Sequence, residues 1–203
     1  MKRIHLAMVL AAVFCLAGLT ANASAGPVGT MEVNLGYMKS SNEMTTDGET
    51  LGGGIGLGAS YWRSASPSVS WGAEVSYDNL GSIEASYVDT FGETVTEEVN
   101  AKALRVTPAM RVNFGSVVGP SFFAQGGAGL YNVSSEYKYS DTSGLAFNTD
   151  GSDSKFGFNL GAGVGFPVGP KTRMNVQGQY HSVATEGESL NYLAVRAGIG
   201  FSL

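Results

Sequence analysis

Cysteine and histidine are nearly missing from this sequence, and the few it has are poorly placed for chemistry. The one cysteine, Cys15, and His5, one of two histidines, lie within the first 25 residues. That stretch, MKRIHLAMVLAAVFCLAGLTANASA, sets Lys2 and Arg3 before an apolar run from Leu6 to Leu19 and ends on Ala23-Ser24-Ala25. It reads as a secretory signal peptide cleaved after Ala25. The run falls short of the ~20 residues that cross a bilayer as a helix, and Phe14 is too bulky to precede a lipidated cysteine. The mature domain, residues 26–203, therefore has no thiol, no disulfide and no cysteine metal ligand, and keeps His181 as its one imidazole.

Positive charge is scarce as well. Twelve Lys and Arg face 17 Asp and Glu, and without Lys2 and Arg3 ten cations remain, for a formal charge of −7. So acidic a chain excludes nucleic acid as a partner. After the signal there is no continuous apolar helix of spanning length and no helical period. What recurs is two-residue alternation, in a sequence that holds 29 glycines.

The closing stretch is the most regular. Leu193, Val195, Ala197, Ile199, Phe201 and Leu203 are apolar, while Tyr192, Ala194, Arg196, Gly198, Gly200 and Ser202 between them are small, polar or charged. Seven upstream segments repeat the pattern. In TMEVNLGYM, Met31, Val33, Leu35 and Tyr37 oppose Glu32, Asn34 and Gly36. In LGGGIGLGASYW, Leu51, Ile55, Leu57, Ala59 and Tyr61 oppose glycines and Ser60. VSWGAEVSYD sets Val69, Trp71, Ala73, Val75 and Tyr77 against Ser70, Gly72, Glu74, Ser76 and Asp78.

The fourth segment, ending at Asn113, alternates Leu104, Val106, Pro108, Met110 and Val112 with Arg105, Thr107, Ala109 and Arg111. Pro108 donates no ladder hydrogen bond, so a bulge or a locally opened ladder is expected there. The fifth sends Phe122, Ala124, Ala128 and Leu130 one way and Phe123, Gln125, Gly127 and Tyr131 the other. KFGFNLGAGVGF opposes Phe156, Phe158, Leu160, Ala162, Val164 and Phe166 to glycines and Asn159. TRMNVQGQYH opposes Met174, Val176 and Tyr180 to Arg173, Asn175, Gln177, Gln179 and His181.

Connections after the second, fourth and sixth segments (RSASPS, FGSVVGP, PVGPK) are short, and the others are longer and polar. Short periplasmic turns, long extracellular loops and an even strand count are the plan of an outer-membrane barrel. A soluble barrel carries its apolar side chains inside, and a dry core does not hold unpaired Glu32, Glu74, Arg105, Arg111, Arg173 and Arg196. Aromatics near segment ends (Tyr37, Tyr61, Trp71, Tyr77, Phe166, Tyr180, Phe201) suit interfacial girdles. The expected fold is all-β: an eight-stranded antiparallel transmembrane up-and-down β-barrel after an N-terminal signal peptide.

The signal, the eight segments and the strings GAGVGFPVG, VQGQYHSV and AVRAGIGFSL resemble the small outer-membrane β-barrel superfamily, which includes opacity-type proteins and the transmembrane domain of outer-membrane protein A. The resemblance covers the whole mature chain. It departs at the end, where such proteins finish on Phe and this chain on Leu203. It implies a cell-surface, porin-like or opacity-like protein of the Gram-negative envelope, inserted by the barrel-assembly machinery among outer-membrane lipids and lipopolysaccharide.

Eight strands enclose a lumen just wide enough for side chains to fill. Glu32, Glu74 and Asp78 against Arg105, Arg111, Arg173 and Arg196 therefore read as a lumenal ion-pair network rather than a selectivity filter, although the inward glycines leave volume for water. His181-Ser182, with Glu186 and Glu188 nearby, is the one constellation suggesting an enzyme. The resemblance brings lipid A deacylases to mind, but those use His-x-Ser, and adjacent strand residues point to opposite faces. A lumenal or rim histidine with ordinary hydrogen bonds is expected instead.

Most acids fall between segments, from Glu43, Asp47 and Glu49 to Asp150 and Asp153. They read as a solvated extracellular rim, and NTDGSDS matches a calcium loop only in fragments. SIEASYVDTFGETVTEEV keeps alternating, with a turn at Gly92, so the third and fourth strands are expected to protrude as a hairpin carrying Tyr87, Val88, Phe91 and Val95. An exposed hairpin offers strand-addition binding to an extracellular protein or surface ligand. The expectation is a monomeric barrel with no cofactor, no metal and no catalytic residues, in a structural or adhesin-like role. A small pore and a lipid A-modifying enzyme are the alternatives.

Overall fold

Alternation in the sequence becomes eight strands: β1 (Thr30–Ser40), β2 (Gly54–Ser64), β3 (Val69–Val88), β4 (Thr94–Gly115), β5 (Ser121–Asp141), β6 (Ala146–Gly169), β7 (Thr172–Val183) and β8 (Leu190–Ser202). The computed structural model describes residues 29–41, 51–115, 119–185 and 189–203. The signal peptide, Glu43, Asp47, Glu49, Glu186 and Glu188 lie outside these. Each strand pairs antiparallel with its neighbours in one closed barrel. β1 meets β8 from Thr30 opposite Ser202 to Ser40 opposite Tyr192. Closure leaves no edge in the barrel wall, the condition for crossing hydrocarbon with strands.

The faces follow the sequence pattern. On β8, Leu193, Val195, Ile199, Phe201 and Leu203 are exposed to the lipid side, while Tyr192, Ala194 and Arg196 are buried inside. The girdle aromatics Tyr37, Trp71, Tyr77, Phe166 and Tyr180 are exposed likewise. At Pro108 the ladder opens without a bulge. The β4–β5 pairings Val106–Leu130 and Ala109–Gly127 keep one register on either side of an interval that holds no pair.

Two departures from the alternation decide what the lumen contains. Leu51, in phase with Ile55 by sequence, does not face lipid; it is fully buried in the extracellular mouth. Gly53 adopts φ 91° and ends the strand pattern before β2 begins at Gly54, so the chain turns inward. On β3 Leu80 keeps the inward parity of Asp78 and is buried in the mouth, but the register shifts between Asn79 and Gly81, and beyond this bulge the parity flips, so that Ile83 turns toward the interior. Glycine volume is also used differently from expectation. A Cβ on Gly56 would meet Asp78 Oδ1 at 2.5 Å, and one on Gly157 would meet the Tyr131 ring at 2.8 Å. These inward glycines make room for neighbouring side chains rather than water.

Strands β3 to β6 run 20 to 24 residues, against 11 to 13 for the others. The expected β3–β4 hairpin is present, pairing Ser82–Asn100 through Val88–Thr94. The segment after β5 is a second hairpin rather than a loop: β6 starts at Ala146, not Lys155, and pairs with β5 throughout. Both tips use the same chemistry, Asp-Thr-x-Gly. Asp89 Oδ1 accepts the N–H groups of Phe91 (2.8 Å) and Glu93 (2.9 Å). Asp141 Oδ1 accepts Ser143 Oγ (2.7 Å) and the N–H of Leu145 (2.9 Å). Gly92 and Gly144 take φ 83° and 92°, the left-handed residue that closes a three-residue hairpin loop.

Val176 is 43% exposed and its neighbour Gln177 is 3% exposed. Arginine at a lipid-facing midplane position costs about 2 to 4 kcal/mol. Denaturant titration in vesicles should show that loss for Val176→Arg and less than about 1 kcal/mol for Val176→Leu. The Ser143 hydroxyl and Leu145 amide hold the Asp141 carboxyl below its ordinary value of 3.8. A depressed pKa adds stability above the ordinary value that is lost as pH falls through the folded one. Protection of the Leu145 amide, measured as its exchange relative to an unstructured amide at the same pH, should therefore fall as pH drops below 3.8, and Asp141→Asn should remove that dependence.

Candidate functional site

The inward side chains fill the lumen in three layers, each set by the two-residue period. At the extracellular end, Met38, Leu51, Leu80, Ala101, Tyr131, Val183, Leu190, Tyr192 and Ala194 form one buried apolar cluster, with Ile83 and Val133 against it. This plug closes the mouth. Beneath it lie the charged residues, and at the periplasmic end the aromatic rings of Trp62 and Phe123.

Six of the seven charged residues singled out in the sequence form one continuous chain across the lumen. Arg111 donates through both terminal nitrogens to Glu32 (2.6 and 2.8 Å) and through Nε to Gln125 Oε1 (3.0 Å). Gln125 Nε2 passes the chain to Glu74 Oε1 (2.8 Å), and Arg105 donates to Glu74 Oε2 (2.8 Å). Arg105 Nε lies 3.8 Å from Asp78. Arg196 donates to both Asp78 oxygens (2.7 and 2.8 Å) and to Asn34 Oδ1 (3.1 Å). Three carboxylates meet three guanidiniums, so the chain carries no net charge. Arg173 stands at the rim instead, donating to Ser121 Oγ (2.7 Å) and to the carbonyls of Gly119 and Gly165.

Neutral residues complete the chain. Arg111 is held between the rings of Trp62 (4.1 Å) and Phe123 (4.3 Å), and the Trp62 indole donates to Glu32 (3.1 Å). Tyr192 donates to Asp78 (3.1 Å). Gln179 accepts from Arg105 (3.5 Å) and donates to Glu74 (3.4 Å). Trp62 was overlooked in the sequence, although parity with Ser60 sends it inward; Gln125 and Gln179 were seen as inward but not as links. His181 and Ser182 are both within β7, which runs to Val183, so they face opposite sides. His181 is fully buried, stacked on Tyr192 at 4.3 Å with Nδ1 3.2 Å from the Tyr131 hydroxyl. Ser182 is therefore not paired with His181.

Outside the membrane, the acids thought to lie in loops are largely on strands. Glu84, Glu98, Lys138 and Asn148 form one row across β3 to β6, and Lys138 donates to Glu98 at 3.0 Å. That hydrogen bond pushes the Lys138 pKa up. With Thr96 and Ser140 they border a groove of about 520 Å³. NTDGSDS is part of β6, and Asp150 and Asp153, three apart on a strand, point to opposite faces, so they cannot converge as a calcium loop does. Among the described residues no three acids, histidines or cysteines gather as a metal site. Of the hairpin residues, Val88 and Phe91 are exposed, Phe91 at 88%, Tyr87 donates to Glu97 (2.9 Å), and Val95 is buried.

These features define a class, the eight-stranded transmembrane β-barrel with a filled lumen. The chain belongs to the outer-membrane protein β-barrel domain family, whose profile matches residues 7–202. It is an outer-membrane protein of the Gram-negative type and sits among the lipids and lipopolysaccharide of that membrane. Among solved structures it is similar to Neisserial surface protein A, with TM-score 0.52 and 10% identity over 86% of this chain and 97% of that one. It is similar also to the N-terminal β-barrel domain of OprF from Pseudomonas aeruginosa, with TM-score 0.52 and 14% identity over 88% and 100%. Identities this low speak to fold alone. No curated protein sequence matches the chain.

Removing one member of a buried ion pair costs about 3 to 5 kcal/mol because the partner is left uncompensated. Asp78→Asn and Arg196→Met should each destabilise by about that much, and the double variant by clearly less than their sum. Equal additivity in a double-mutant cycle would mean that the two side chains do not depend on each other.

Proposed function

We propose that this barrel is a non-catalytic, monomeric surface-interaction protein that meets its partners through the extension of β3 to β6. The observation that carries the reading is a four-stranded sheet standing above a filled lumen, with Tyr87, Val88, Phe91, Leu145 and Phe147 exposed on it. At about 3.3 Å per residue, Val133 to Asp141 adds roughly 26 Å of strand beyond the plug. Exposed apolar side chains in such numbers are costly in water unless something covers them. Tyr139 and Phe147 stack at 4.8 Å with planes 13° apart, which holds them rigid and ready for contact.

The pore reading has less support. An apolar plug above an internally neutralised salt-bridge chain offers an ion neither an entrance nor an unpaired charge. A lipid-modifying enzyme needs a hydroxyl and a base on one face, and the parity of β7 separates Ser182 from His181. Acidic groups dominate the extension, with Glu84, Glu97, Glu98, Glu136, Asp150 and Asp153 against Lys138 and Lys155, so its contacts are selective for cationic surfaces. Insertion through the barrel-assembly machinery fits the regular β8 strand.

Deleting Tyr87–Thr96 together with Tyr139–Phe147, each closed by a short glycine linker, should leave a barrel that still shifts mobility on boiling in a detergent gel. Adhesion of cells carrying it to mammalian cells or matrix should fall to the level of cells lacking the protein. Planar bilayers should register no channel steps from either form. Undiminished adhesion by the folded deletion, or regular steps from the parent, would overturn the corresponding half of the proposal.

A further inference from the structure

The extension has two edges, and among the described residues they differ. Beyond Asp78 the β3 edge, Ser82–Val88, is met at its base by the N–H of Gly52, which donates to the Ser82 carbonyl at 3.0 Å. The β6 edge is longer. β7 ends at Val183, whose neighbour across the ladder on β6 is Gly157, and the next residue, Ala184, donates to the Phe156 carbonyl at 2.9 Å. From Lys155 back to Ala146 no strand among the described residues flanks β6 on that side.

The direction of its main-chain groups can be read from two bonds. The Phe156 carbonyl points toward β7, whereas the Leu145 carbonyl accepts from Asp141 on the β5 side at 3.0 Å. β5 and β6 pair without a register shift from Leu130–Phe156 to Ser140–Ala146, and in an antiparallel ladder the N–H and C=O of one residue share a side that alternates along the strand. Asn148, Asp150, Ser152 and Ser154 therefore aim their N–H and C=O groups away from β5, into solvent.

An edge this long is a template for another chain unless charge blocks it. Asp150 and Asp153 supply that charge, one on each face of the sheet. Asp153 is 64% exposed and holds Lys155 at 2.6 Å, an exposed pair that binds weakly. A second copy pairing edge to edge would bring these carboxylates against their own kind, whereas a cationic strand would gain from both. Phe147, six residues from Asp153 on the same face, leaves an apolar surface at the end of the row.

We propose that the edge of β6 from Phe147 to Asp153 accepts an extended segment of a cationic polypeptide as an added strand. Alternation fixes the partner's pattern: cations three residues apart, for Asp153 and Asp150 on opposite faces, and an apolar residue three further on beside Phe147. The proposal rests on the surface-contact reading above and specifies its chemistry.

The test uses the folded full barrel in detergent and a nine-residue threonine-based peptide with Lys at positions 2 and 5 and Phe at 8. Binding by fluorescence anisotropy should weaken about tenfold for Ser152→Pro, which removes a donor facing the incoming strand and none that serves β5. Asp150→Asn with Asp153→Asn should also weaken it, and added salt should then matter less. N-methylation of the peptide at alternate residues should abolish binding in one parity and spare it in the other, a readout that does not depend on any protein variant folding. No binding to the parent, equal binding by parent and Ser152→Pro, indifference to N-methyl parity, or an edge-paired dimer would overturn the proposal. If adhesion is still lost on deleting the hairpins, the broader reading survives that failure.

Discussion

A backbone amide in hydrocarbon has no water to bond, and this single constraint orders the molecule. It forces the strands into a ring, and eight of them leave an interior that side chains must fill. Once the interior is narrow and dry, its polar groups have mainly one another for partners. The chain from Glu32 to Arg196 is the result, with each carboxylate facing a guanidinium and the amide of Gln125 bridging a gap that no charge spans. Its value for stability relative to an apolar filling is small, since desolvation offsets most of the attraction. Its value for register is larger, because a one-residue slip would turn every member outward into lipid.

The barrel wall was largely legible from the period of two. Lipid-facing and lumenal residues on β8, β7 and β1 sit where alternation puts them, since nothing but pleat geometry decides their direction. Legibility ended where the pleat is interrupted. Leu51 keeps the apolar phase of Ile55, yet Gly53 turns the backbone and sends it into the mouth; a positive φ is invisible to a hydropathy pattern. Ile83 turns inward after a bulge for which the sequence offers only Asn79 and Gly81. The second hairpin was missed because its β6 half, NTDGSDS, is polar on both faces, as a strand flanked by water on both sides can be. Its signal lay elsewhere, in the repeated Asp-Thr-x-Gly at Asp89 and Asp141.

Site residues divided in the same way. Which charges face inward could be told from parity, and six of the seven meet; which charge meets which could not, because partners such as Glu32 and Arg111 are 79 residues apart in sequence and are joined across the barrel rather than along its wall. Arg173 has the right parity but stands too near the periplasmic end to reach the chain, and only its height along the axis separates it from the others.

The lumen's charges are also unevenly divided among the strands. Glu32, Glu74 and Asp78 belong to the first and third strands, Arg105 and Arg111 to the fourth, and Arg196 to the eighth. A sheet lacking its last strand would hold three carboxylates and only two guanidiniums, with Asp78 missing its bidentate partner. The strand that seals the wall against lipid thus brings the final positive charge to the interior. Closure and neutralisation depend on the same strand, and a sheet without it would keep an uncompensated negative charge.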